Sequence, residues 1–237
     1  MPIFTAQQIV TRACQIAKTP GFTVQGGQYL NLTLDNLCQD YDLELARGLF
    51  TFNFTNQSGP YVLPANYLRA RKGDVFYTFQ GVPYFMTAID LGEYDRLVQQ
   101  AGFNDFPRDW TTDMSQSPPQ MFVWPPPSLV APVTVRFYSQ MPSITIPETS
   151  AVVPWFPNQL YLITNVAGLL MMDADDTRWQ EYLSEDEDRY PMGAGCQLRR
   201  YLKMKDDPEG KTNTVALDRR RFGTQFNRLP NTKLIGW

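Results

Sequence analysis

The side chains that could do chemistry in this chain are carboxylates, guanidiniums and thiols, because the sequence contains no histidine. That removes the commonest general base and the commonest metal ligand. Hydrolases built on Ser-His-Asp or Cys-His are excluded with them. The densest carboxylates are Glu185, Asp186, Glu187 and Asp188. On a helix, consecutive side chains point about 100° apart, so these four would not converge on one ion. They read as a solvated helix face or, more sharply, as a negative surface lining a channel through which DNA slides by repulsion. Asp173, Asp175 and Asp176 begin like a calcium loop, but the glycine and distal glutamate such a loop needs are out of register. Glycoside hydrolysis needs only two carboxylates, yet no pair is singled out. Gly26-Gly27 and Gly193-Ala194-Gly195 match neither phosphate-binding pattern and are expected to be flexible joints. Cys14, Cys38 and Cys196 form no CxxC pair, which gives neither a disulfide framework nor a zinc site. No catalytic residue, metal or cofactor is assigned.

The basic residues are unevenly placed. The net charge is −3, but residues 199–237 carry +6 and residues 1–198 carry −9. The end is suited to an acidic partner or nucleic acid, while the body repels DNA. Arg219, Arg220, Arg221 and Phe222 could touch phosphates, pair bidentately with a partner's carboxylates, or simply be solvated. Around them, residues 206–237 are rich in Gly, Pro, Asn and Thr, and their apolar residues follow neither a helical nor a strand period. Val215, Leu217, Phe222, Phe226, Leu229 and Trp237 are nonetheless too large and numerous for a plain solvated tail. Ordering 32 residues costs roughly 1–2 kcal/mol each. Offsetting the low end takes about 1,300 Å² of buried apolar surface. A lone arm cannot supply that, whereas a neighbouring protein can, with Trp237 as an anchor.

The elements that position these residues follow from periodicity. Thr5 is expected to cap a helix over 6–18 that stops before Pro20-Gly21. A second helix is expected over 33–47, with Leu34, Leu37, Tyr41 and Leu45 on one face and Gly48 as its stop. From Leu49 to Ile146 the pattern turns to strands, four to six of them, with Phe50, Phe52 and Phe54 alternating. Gln80-Gly81-Val82-Pro83 is a hairpin signal, and Pro83 belongs at a turn or an edge. One short helix is expected over 93–101. Residues 158–172 are apolar around most of a helix's girth, which places that helix inside a large core or, more in keeping with so small a chain, between subunits. A capped helix over 173–189 and another over 197–203 follow. The resulting class is α+β: a helical bundle from residues 1–48 and 155–205, an inserted antiparallel β-rich domain at 49–154, and an extended arm at 206–237. The N-terminal MPIFTAQQIV lacks the basic n-region and long apolar stretch of a secretory signal. No run reaches the roughly 18 apolar residues that cross a bilayer. A reducing cytoplasm is the expected compartment at synthesis.

Over nearly its whole length the chain resembles the head-to-tail adaptor (connector, head-completion) proteins of short-tailed phages, the group that includes podovirus tail tubular protein A. The resemblance rests on the N-terminal helical pair, Tyr61-Val-Leu-Pro64 running into Asn66-Tyr-Leu-Arg69, Val123-Trp-Pro-Pro126 before Val133–Tyr138, Trp155-Phe-Pro157, and Leu217-Asp-Arg-Arg-Arg-Phe-Gly223. It implies a homo-oligomeric ring of about twelve copies, a portal protein as partner for the arm, and a tail nozzle or tube protein at the lower rim. It also implies a channel for double-stranded DNA passing without sequence-specific contact, no membrane partner, and a place at the head–tail junction of the virion. Two rivals stand beside it. One is a tail-side receptor- or glycan-binding protein stacking sugars on Tyr77–Phe85 and Trp110–Trp124. The other is a wall-degrading hydrolase using carboxylates.

Overall fold

Thr5 begins the first helix, α1 (Ala6–Ala17), through a full capping box. Its hydroxyl accepts the Gln8 N–H while the Gln8 side chain accepts the Thr5 N–H. Lys18 closes the helix in the left-handed conformation (φ 60°). The computed structural model describes residues 3–55, 59–70, 73–99 and 104–206, with no side-chain description at 204–206. Six α-helices and nine strands lie among the described residues, an α+β fold. The chain divides into two compact units, one drawing its described residues from 3–30 and 145–206, the other spanning 31–144.

In the first unit the central element is α4 (Gln159–Asp173), capped by Asn158, whose side chain accepts the Tyr161 N–H at 3.1 Å. Nine of its residues are buried, from Tyr161 to Met171. The covering elements are α1, α5 (Trp179–Leu183) and α6 (Ala194–Asp206), all of the same chain. The apolar girth of α4 is therefore spent within its own unit, and the subunit-interface reading of this helix is corrected. Helix α1 packs on α4, so helices from the two ends of the sequence meet in one unit.

The second helix, α2, runs over Thr23–Asp40, starting ten residues before the expected 33 and ending short of 47. Gly26-Gly27 is not a flexible joint. Both residues are buried inside α2, continuing the stripe of Leu30, Leu34 and Leu37. A Cβ at Gly26 would lie 3.1 Å from Val10 Cγ1 and 3.4 Å from Cys14 Sγ, so glycine here permits close helix packing. Residues 44–46 form a single 3-10 turn, and Gly48 lies in a strand rather than stopping a helix.

The second unit holds two sheets. The first has the order β1 (Arg47–Asn53), β9 (Pro132–Ser139), β4 (Val75–Phe79), β5 (Val82–Phe85), with β3 (Tyr67–Arg69) also on β9. The second has the order β2 (Tyr61–Val62), β8 (Gln120–Trp124), β7 (Asp109–Asp113), β6 (Thr87–Ala88), its β6–β7 pair parallel. The expected four to six strands become nine because β2, β3 and β6 are too short to show alternation. Gln80 and Gly81 both have positive φ (51° and 78°), the hairpin geometry that matches strand twist. Pro83 sits on the edge strand β5, where a missing donor is tolerated. The core gathers Phe54, Tyr77, Met121, Val123, Val133 and Val135, with Phe50 and Phe52 half-buried beside it. Burial pushes the Tyr67 phenol up to about 12. The expected helix at 93–101 is α3 (Leu91–Val98), capped by Asp90.

Candidate assembly surfaces

The acidic run Glu185–Asp188 does not lie on a helix. The expected 173–189 helix is only α5, because local side-chain bonds divert the backbone. Ser184 is extended, and its Oγ accepts the Asp186 N–H at 3.0 Å. Asp186 in turn accepts the N–H groups of Asp188 (3.1 Å) and Arg189 (3.2 Å). The turn then presses against the start of α6. A Cβ at Gly193 would lie 2.4 Å from the Ser184 carbonyl oxygen, and one at Gly195 would lie 2.4 Å from Glu185 Cγ. These two glycines are close-packing positions, not flexible joints, and Gly195 is inside α6.

Two of the four carboxylates face arginines of α6. Arg199 Nη2 lies 2.9 Å from Glu185 Oε2, and Arg200 Nε lies 2.8 Å from Glu187 Oε1. Hydrogen bonding from Arg200 lowers the Glu187 carboxyl below its usual range. Both pairs are exposed, so they orient side chains more than they stabilise the fold. Asp186 serves the turn. The run is thus a partly neutralised surface at the root of α6, rather than four free charges. Helix α6 extends to Asp206. Beyond it, the arm candidates Arg219, Arg220, Arg221, Phe222, Phe226 and Trp237 lie outside the described residues.

The other chemistry candidates resolve into structure. Asp173 accepts hydrogen bonds from Gln25 and Tyr29. Arg178 grips Asp176 through Nε and Nη2, holding that carboxyl at about 2. Among the described residues, no group of three or more His, Cys, Asp or Glu is placed to hold a metal ion. The three cysteines are free and buried, and burial pushes the Cys14 and Cys38 thiols up. An open groove of about 880 Å³ is lined by Asn31, Leu32, Asp35, Asn66, Gln140 and Met141. Asn31 brackets the Ile144 backbone and Gln140 donates to Asp35, so these polar groups serve the fold. No described helix is long and apolar enough to cross a membrane.

The aromatic segments considered for sugar stacking are split by the fold. Tyr77 and Trp110 belong to the core, while Tyr84 and Phe85 are exposed. Leu49 and Phe85, exposed on the two edge strands of the first sheet, share one of its faces, a juxtaposition that local periodicity did not reveal, while Phe106 packs from a loop against Phe79 and Tyr84. The alternation at Phe50–Phe54 was the available signal, but which strands lie at an edge depends on pairing with distant residues.

Compared with known proteins, the chain matches the family model described as SU10 adaptor protein over residues 4–229. The match covers both compact units and continues through Arg219–Arg221, Phe222 and Phe226, stopping short of Trp237. No curated protein matches the chain.

Proposed function

The chain belongs to the SU10 adaptor protein family, and from that premise we propose that it joins the portal vertex of a phage capsid to the tail. It is a structural phage adaptor, a component of the virion and not a member of an enzyme family. The proposed assembly is a ring of about twelve copies around a channel for double-stranded DNA. Residues 206–237 form the arm that docks on the portal, with Arg219, Arg220 and Arg221 pairing carboxylates and Phe222, Phe226 and Trp237 filling apolar sites. A tail nozzle or tube protein binds the opposite rim. Each arm binds weakly alone, and ring symmetry multiplies the contacts. DNA passes without sequence readout, helped by the −9 charge of residues 1–198.

The observation that carries this reading is a family match running through the body and into the basic arm. Truncation after Asp206 tests it. The described body keeps all its helices and strands, so the truncated chain is expected to fold and yet fail to join DNA-filled heads. Normal head attachment by that truncated chain would contradict the docking role.

A further inference from the structure

The first sheet has one long edge that no described residue pairs with. Phe54 N–H donates to the Ala131 carbonyl at 3.0 Å. With the β1–β9 register, this puts Phe52, Phe50 and Gly48 in hydrogen-bonded pairs with Val133, Val135 and Phe137. Leu49, Thr51 and Asn53 therefore aim their N–H and C=O groups away from β9, and no described residue meets them. The opposite side of β9 agrees, since Arg136 N–H donates to the Asp74 carbonyl there. Natural sheets blunt such edges by shortness, proline, lysine or a bulge. The two edges of the second sheet, β2 and β6, have two residues each, and β5 carries Pro83. Strand β1 has seven residues with no proline or bulge, and its one charge, Arg47, stands at the first position, where it pairs with Asp74.

At the other edge of the same sheet, Met86 N–H donates to the Val75 carbonyl, which pairs Tyr84 and Val82 with β4. Phe85 and Pro83 then point outward. Every junction along β1-β9-β4-β5 is antiparallel. A β5 strand laid against β1 of a second copy would continue that alternation. Register also puts Leu49 and Phe85 on the same face of the sheet. Both are largely exposed, 65% and 62%.

We propose that β5 of one copy adds to β1 of the next, with Phe85 opposite Leu49 and Pro83 opposite Thr51. Phe85 exchanges two backbone hydrogen bonds with Leu49. Thr51 N–H donates to the Pro83 carbonyl, and the fourth bond is missing because proline has no N–H. The joint is head-to-tail, the kind that closes into a ring when its rotation allows. It rests on the adaptor reading for the existence of a ring and specifies how neighbours meet.

Opposed residues of a hydrogen-bonded pair lie about 5.5 Å apart at Cα, within disulfide reach. The full-length chain carrying both Leu49→Cys and Phe85→Cys, bound to portal-bearing heads and oxidised, is expected to give a ladder of covalent multimers. Neither single variant should give one, since the native cysteines are buried. A second variant, Thr51→Pro, leaves the β1–β9 bonds intact because the lost N–H points outward, and it should lose assembly while keeping its circular dichroism. A double-cysteine chain that decorates heads without cross-linking, or a Thr51→Pro chain that assembles normally, overturns the joint and leaves the adaptor role standing. A wild-type chain absent from the portal vertex overturns both.

Discussion

Replacing Leu162 by alanine tests whether α4 is the core of its own unit. Leu162 is fully buried near the start of a helix covered by α1, α5 and α6. Removing its isopropyl group forfeits about 2 kcal/mol of transfer free energy. The partly relaxed cavity adds about 1–2 kcal/mol, since such voids cost about 24 cal/mol per Å³. The sum, about 3–4 kcal/mol, is a large share of a typical domain's stability. In a chain of this size it lowers Tm by roughly 6–16 °C. Thermal melts followed by circular dichroism, over a roughly 50-fold range of protein concentration, read both the size and the origin of the effect. The predicted result is a drop of that size, independent of concentration for the free chain. A drop below about 1 kcal/mol, or one that appears only at low concentration, would mean that another subunit covers α4.

Other outcomes follow from the same contacts. Gly168→Val puts a branched side chain where Cβ alone would already lie 2.6 Å from Leu183 Cδ2, so it should cost about 1–3 kcal/mol in denaturant unfolding. Tyr67 has its ordinary value at 10.0 when unfolded and about 12 when folded, so burial holds the neutral form. Its contribution is complete below pH 10 and is lost as pH rises through about 12. This is about 2–3 kcal/mol of pH-dependent stability, and Tyr67→Phe should remove that share of the loss above pH 10. Glu187 runs the other way. Arg200 lowers its folded value, so what the pair adds is present at neutral pH and lost as pH falls through that lowered value. Because the pair is exposed, Glu187→Gln should leave Tm unchanged at physiological salt.

Much of the helical framework was legible because its signals are local. Thr5 with Gln8, Asn158 before an apolar run, and Gln80-Gly81 between strands each state their geometry within a few residues. Where distant contacts decide, the sequence misled. Gly26-Gly27 looks like a break, yet Val10 and Cys14 pack over it and make it helix. The acidic run looked like four free charges until Arg199 and Arg200 of α6 came beside it. Ser184 and Asp186 carried a readable turn signal that the helical spacing of Trp179, Tyr182 and Leu183 obscured. That β1 has no described partner on its outer side follows from residues 47–53 pairing with 132–138, a juxtaposition that no local pattern announces. The basic triplet and terminal aromatics were read as a docking arm from composition, and the family match runs through most of that stretch.

Electron microscopy of DNA-filled, portal-bearing heads incubated with the full-length chain tests the adaptor role most directly. The account predicts a ring of density seated on the portal vertex, coaxial with it and open at its centre to a DNA duplex. Density confined to a distal tail tip, or heads that remain bare, would contradict it.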